Sequence, residues 1–72
     1  MAMNYIVVQS SNIAKIGYNK DTGELGVIFN NGGEYIYPGV SEEIYNDFMS
    51  ASSHGHYHYE NIKYTFAFRR IN

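Results

Sequence analysis

The sequence predicts an α+β fold: a small antiparallel sheet of three to five strands, with one main helix and room for a second short helix on one face. Three observations carry this. β-Branched and aromatic segments with period-two patterning fill the first half of the chain, turn residues cut them at short intervals, and a stretch with helical spacing begins only after residue 40. Strands first and helices after is the order in which helices gather on one face of an antiparallel sheet.

Each element has its own signal. Tyr5–Val8 is β-branched and aromatic and reads as a strand, interrupted by Ser10-Ser11-Asn12. Ile13, Ile16 and Tyr18 mark a second strand with imperfect alternation. Asn19–Gly23 reads as a turn in which Asp21 bonds the backbone ahead and Gly23 takes positive φ. Leu25, Val27 and Phe29 alternate with Glu24, Gly26 and Ile28, a strand with one apolar face. Asn30-Asn31-Gly32-Gly33 contains Asn-Gly, the strongest short hairpin signal, and Glu34–Tyr37 is the returning strand, closed by Pro38-Gly39. Ser41 reads as a helix N-cap, with Glu42 and Glu43 where the helix dipole favours negative charge. Ile44, Tyr45, Phe48 and Met49 form the inward stripe of a helix ending near Ala51 or Ser52. His56–Ile62 fits a helical face through Tyr57, Asn61 and Tyr64, and equally a strand through His54, His56 and His58. Alternation of Phe66 and Phe68 with Ala67 and Arg69 predicts a last short strand. The core is expected to hold Leu25, Val27, Phe29, Ile44, Phe48 and Ile62.

Composition narrows the function. Seventy-two residues make one domain, spanning residues 1–72, whose core is small because a chain of this length buries only roughly 60% of its unfolded surface. There is no cysteine to add disulfides, which fits a cytoplasmic protein. Oligomerisation is then the expected aid to stability, and a homo-oligomer the expected state. Neither a secretory leader nor an apolar run of spanning length is visible, so no membrane is expected. A net charge of −2 with five Lys and Arg argues against long nucleic acid, whereas the clustering of Lys63, Arg69 and Arg70 suits a small anion. The eight tyrosines serve cores, interfaces and ligand pockets alike.

The order Val8-x-Ser10-Ser11-x-Ile13-x-x-Ile16-Gly17-Tyr18, Gly23-x-Leu25-x-Val27-x-Phe29 and Tyr35-x-Tyr37-x-x-Val40 resembles the KTSC domain family. The likeness continues through Tyr45, Phe48, Ala51-x-Ser53-x-Gly55-x-Tyr57 and Ile62 to the basic C-terminal edge, nearly the whole chain. Ser41 stands where the family usually has proline, His54 where a basic residue is common, and Phe66 and Ala67 where tyrosine and proline are usual. The resemblance implies a single KTSC-like α+β domain over residues 1–72 and a cytoplasmic setting in a bacterium or a phage-infected cell. Such domains also occur appended to some lysyl-tRNA synthetases, which implies a link to nucleotides or nucleic acid.

Four constellations carry possible chemistry. Ser53-His54-Gly55 opens a segment where a helix start aims free N–H groups outward and glycine admits close backbone approach to an anion; Ser53 as a plain N-cap is the competing reading. His54, His56 and His58 include a zinc-compatible i, i+4 pair, but only Glu60 stands nearby as a further ligand, so no metal site is expected. Ser10 and Ser11 either bond local backbone or face a ligand. Arg70 lies where the resemblance implies an arginine, a residue able to hold phosphate with two parallel bonds. Together Ser10, Ser11, Tyr18, Tyr37, Ser53, His54, Gly55, Tyr57 and Arg70 form the expected ligand site, with Tyr18 or Tyr37 as a stacking wall.

No nucleophile elbow, Walker loop, dinucleotide fingerprint or zinc-hydrolase motif accompanies these residues, so the chain is not expected to be an enzyme, and no cofactor is expected. Two functions remain open. One is a non-catalytic binder of a small phosphate-bearing ligand, most plausibly a nucleotide, including sequestration of a cyclic-nucleotide immune signal by a phage protein. The other is a protein- or RNA-interaction module.

Overall fold

The computed structural model describes residues 3–72. Five antiparallel strands lie in the sheet in sequence order: β1 (Asn4–Val7), β2 (Ile13–Asn19), β3 (Glu24–Phe29), β4 (Glu34–Tyr37) and β5 (Arg69–Arg70). Between β4 and β5 the chain forms α1 (Glu42–Ser50), the single turn α2 (His54–Tyr57) and a π-helical turn, His58–Ile62. This is the α+β architecture that the order of strands and helices predicts.

The turns between strands follow from local chemistry. Asn19 is the residue that organises the β2–β3 turn: its Oδ1 accepts the Asp21 N–H at 3.0 Å, and its carbonyl accepts the Gly23 N–H at 2.8 Å. The role expected of Asp21 thus belongs to Asn19, two residues earlier. Gly23 at φ +74° and Gly32 at φ +93° supply the left-handed backbone that the two hairpins need. In β2 the register shifts between Ile13 and Lys15, a bulge that explains the broken alternation there.

Register decides the two faces. Tyr18, Leu25 and Tyr37 lie in one row, and Ile16, Val27 and Tyr35 in the next. This face packs on the helices in a core of Ile13, Ile16, Leu25, Val27, Tyr37, Val40, Phe48 and Ile62. Phe29 and Ile44, expected inside, are only half-buried at the margin of that core. The other face carries Gly17 beside Gly26, and the Tyr5 side chain lies across both, its hydroxyl donating to Glu34 Oε2 at 2.6 Å.

α1 begins as expected, with the Ser41 hydroxyl accepting the Ile44 N–H at 3.2 Å. The last strand differs from expectation. It forms at Arg69–Arg70 rather than around Phe66 and Phe68; Phe66 is half-buried against the helices and Phe68 is exposed. Alternation continues there nonetheless: Arg69 pairs with Ile36 and reaches Glu24 on the outer face at 3.0 Å, while Arg70 pairs with Tyr35 and lies on the helix side.

Candidate functional site: a carboxylate-free cleft beside the π-helical turn

The β1–β2 loop builds one rim of a cleft. The Ser10 hydroxyl accepts the N–H groups of Asn12 at 3.3 Å and Ile13 at 3.2 Å, which closes the loop. Asn30 then ties that loop to the β3–β4 turn, donating from its backbone to Asn12 O at 2.8 Å and from its side chain to Ser11 O at 2.9 Å. Asn12 and Asn31 thereby line one cleft together, and Asn31 is fixed further by accepting the Gly33 N–H at 2.9 Å.

The π-helical turn builds the other rim. The Lys63 N–H bonds to His58 O at 2.9 Å, so residues five apart stand above one another, where an α-helix would align residues four apart. His58, Tyr59 and Lys63 consequently face Asn12 and Asn31 across a cleft of about 280 Å³, with Phe29 and Tyr35 as further walls. Lys63 Nζ lies 5.5 Å from the Tyr59 ring centre and 5.4 Å from that of Tyr64. The Arg70 guanidinium sits 5.6 Å over the ring of Tyr35.

His58 is the buried member, with 7% of its surface exposed. Its Nε2 is 2.8 Å from the Tyr37 hydroxyl, and the rings of Phe29, Tyr37 and Phe48 surround it. Burial, helped by the nearby positive charge of Lys63, pushes its pKa down to about 4, so it is neutral at pH 7. Burial likewise pushes the Tyr37 phenol up to about 12, with Tyr35 adding to the effect, so that hydroxyl keeps its proton. Among the described residues no Asp or Glu lines the cleft, although the chain has seven. Three of them are engaged elsewhere: Glu24 by Arg69, Glu34 by Tyr5 and Glu60 by His56.

None of the nine residues expected to form a ligand site lines this cleft, but several build or back it. Ser10 shapes the loop, and Ser11 donates to Asn12 Oδ1 at 3.2 Å. Tyr37 holds His58, Arg70 covers Tyr35, and Gly55 packs so that an added Cβ would meet the Asn12 side chain at 3.4 Å. The others have internal partners. Ser53 caps α2, accepting the His56 N–H at 3.2 Å, which is the plain N-cap reading. His54 Nε2 bonds to Met49 O at 3.2 Å. Tyr57 stacks on Phe48, and Tyr18 stacks on Tyr45 while donating to Val40 O. The three histidines have three separate partners, and no cluster of three metal-ligating side chains occurs among the described residues. Sequence reasoning did not assemble Asn12, Asn31, Tyr59 and Lys63 with His58. The usable signal was the i, i+5 spacing of His58 and Lys63, which only a π turn converts into proximity.

The KTSC domain family matches residues 9–66, a span that contains every residue lining the cleft. No curated protein matches the chain. Among solved structures, a crystal structure of a KTSC domain protein from Yersinia pestis is similar over 99% of this chain and 100% of that one, with 41% identity and a TM-score of 0.95. A family match over most of the length, together with a fold shared along the whole sheet and both helical segments, places the chain by sequence and by architecture alike: it belongs to the KTSC domain family.

Proposed function

We propose that the protein is a non-catalytic binding module whose cleft takes a small phosphate-bearing ligand, a nucleotide. The observation that carries this is a cleft that, among the described residues, has no Asp or Glu and only Lys63 as a charged wall, in a protein of net charge −2. Aromatic faces at Phe29, Tyr35 and Tyr59 suit a planar base, and the carboxamides of Asn12 and Asn31 suit its polar edge. Arg70, lying over Tyr35, adds a second positive charge beside the same wall. Neither a serine nor a carboxylate stands with His58 in the cleft to form a nucleophile–base pair, which supports binding over catalysis.

A volume of about 280 Å³ is at the small end for ligand pockets, and a second copy of the chain is the proposed means of enclosing more. Support for an oligomer comes from the edge strand β1, which has no charged residue and exposes Val7 by 70%. The proposed setting is the cytoplasm of a bacterium or phage-infected cell, where sequestering a cyclic-nucleotide signal would need nothing beyond tight binding.

Calorimetric titration with 5′-mononucleotides, cyclic mononucleotides and cyclic dinucleotides tests the reading. At least one class is expected to bind, and Lys63→Ala and Asn12→Ala are each expected to weaken it about tenfold or more, as for loss of a charge-assisted or a polar contact to the ligand. No binding by any class at millimolar concentration would defeat it. Sedimentation equilibrium tests the oligomer, a lone 8.3 kDa species at high micromolar concentration being the contrary result.

The second reading, a protein- or RNA-interaction surface, is favoured by one observation: Tyr59 and Tyr64 lie beside Lys63 with 56% and 76% of their surfaces exposed. Salt separates the versions, since RNA binding falls steeply with ionic strength and a tyrosine-built protein interface does not.

A further inference from the structure

We infer that His58 serves the cleft as a neutral imidazole presenting Nδ1–H, in a tautomer fixed by the Tyr37 hydroxyl, and that this donor selects an oxygen-acceptor group such as a phosphodiester. The inference rests on the cleft being the binding site.

The argument begins with the phenol. Tyr37 is 3% exposed, and His58 Nε2, at 2.8 Å, is the one hydrogen-bond partner of its hydroxyl among the described residues. Two arrangements fit that distance. If Nε2–H donated, the phenol hydrogen would be buried with no acceptor. If the phenol donates, its hydrogen is paired and the one spare donor becomes the imidazole Nδ1–H, on the side of the ring away from the phenol. A spare donor costs less where solvent or a ligand can reach it than when sealed beside the core, so the phenol donates and Nε2 accepts. A neutral imidazole has one proton, which is then on Nδ1. Nδ1 makes no hydrogen bond among the described residues and is not sealed from solvent, unlike Nδ1 of His54, and His58 lines the cleft.

The surroundings keep the ring neutral. β3 contributes Phe29, β4 contributes Tyr35 and Tyr37, α1 contributes Phe48, and the loops contribute Asn12 and Asn31. Lys63, at the C-cap of the same π-helical turn, is the only charged group facing it among the described residues, and its positive charge disfavours an imidazolium. Charge and direction are therefore divided: Lys63 attracts the anion, and Nδ1–H fixes where its oxygen sits. A ligand offering only donors at that point, such as an ammonium group, meets a donor and is rejected.

Tautomer-resolved ¹H–¹⁵N NMR of the histidine-labelled full chain tests this without a ligand. The His58 signals are expected to show protonated Nδ1 and unprotonated Nε2 from about pH 5.5 to 8. A protonated Nε2 in the wild-type protein overturns the inference. Tyr37→Phe is expected to shift the ring several-fold toward the Nε2–H form. An unchanged tautomer in the folded variant would strip Tyr37 of its positioning role, and Lys63→Ala is expected to leave the tautomer as it is. Added 3′,5′-cyclic AMP is expected to move the Nδ1 signal, with an affinity changing less than about twofold over that pH range because neither the diester nor His58 titrates there. The expected tautomer with no shift on adding cyclic AMP, 5′-mononucleotides or cyclic dinucleotides would defeat the binding reading and leave the donor assignment standing. Nucleotide binding with an Nε2–H ring would do the reverse.

Discussion

Protonating His58 would place a charge among Phe29, Phe48 and Tyr37, and this gives the protein a built-in acid limit. The folded-state pKa of about 4 lies below the ordinary value of 6.5, so on acidification the unfolded chain binds the proton first. Its contribution is intact above about pH 6.5, declines as pH falls toward 4 and then levels. Between pH 7 and 5 the wild type is expected to lose about 2 kcal/mol by this route, a loss that His58→Gln should not show when urea unfolding is compared at both pH values. Gly17 and Gly26 set a second limit on the opposite face. A Cβ at Gly17 would meet Asn4 O at 2.9 Å, backbone that cannot yield without moving β1. Gly17→Ala is therefore expected to cost about 1–3 kcal/mol, read by thermal or urea unfolding. At Gly26 an added Cβ would strike Tyr5, whose hydroxyl is bonded to Glu34. Neither glycine declared this from sequence, because Gly17 and Gly26 become neighbours only once β2 and β3 are in register.

At the scale of elements, the four long strands and α1 were legible because each advertises itself within a few residues. Alternation marks Leu25–Phe29, Asn-Gly marks the β3–β4 hairpin, and Ser41 with two glutamates marks the start of α1. Three substitutions test the packing and capping of these elements. Leu25→Ala is expected to cost ~2–5 kcal/mol and Phe48→Ala ~3–5 kcal/mol, since both side chains are fully buried. Ser41→Ala is expected to cost about 1 kcal/mol through loss of the α1 cap. A near-zero change for Leu25→Ala in urea unfolding would contradict the β3 register. The segment from Ser53 onward was harder to read. Its three histidines at even spacing mimic a strand, and nothing local distinguishes a π turn from an α turn. The choice is made by Ile62, buried in the core, and by His58 reaching Tyr37, both contacts made outside the segment itself. The cleft was missed for the same reason: its rims are separated in sequence and are joined by Asn30, whose bonds to Ser10, Ser11 and Asn12 no periodicity announces.

The molecule as a whole is a meander whose strand order repeats its sequence order, and no helix among the described residues is long and apolar enough to cross a membrane. That topology has a kinetic consequence. β1 to β4 close through short loops, whereas β5 joins β4 only after the helical segments, pairing Tyr35 with Arg70 across half the chain. Local hairpins form with little loss of chain entropy, and the long closure comes last and opens most readily. β5 pairs with β4 at two residues, extended by bonds of Ile71 and Asn72 to Glu34, against four registers in β3–β4, so the Ile71 amide, bonded to Glu34 O at 2.8 Å, is expected to exchange with deuterium faster than that of Val27 in the sheet centre. Arg70 is carried on this last-formed, first-released strand. The Arg70 guanidinium is therefore expected to lift from Tyr35, which stays on β4 beside the core, so that one wall of the cleft is uncovered on a timescale far shorter than that of global unfolding.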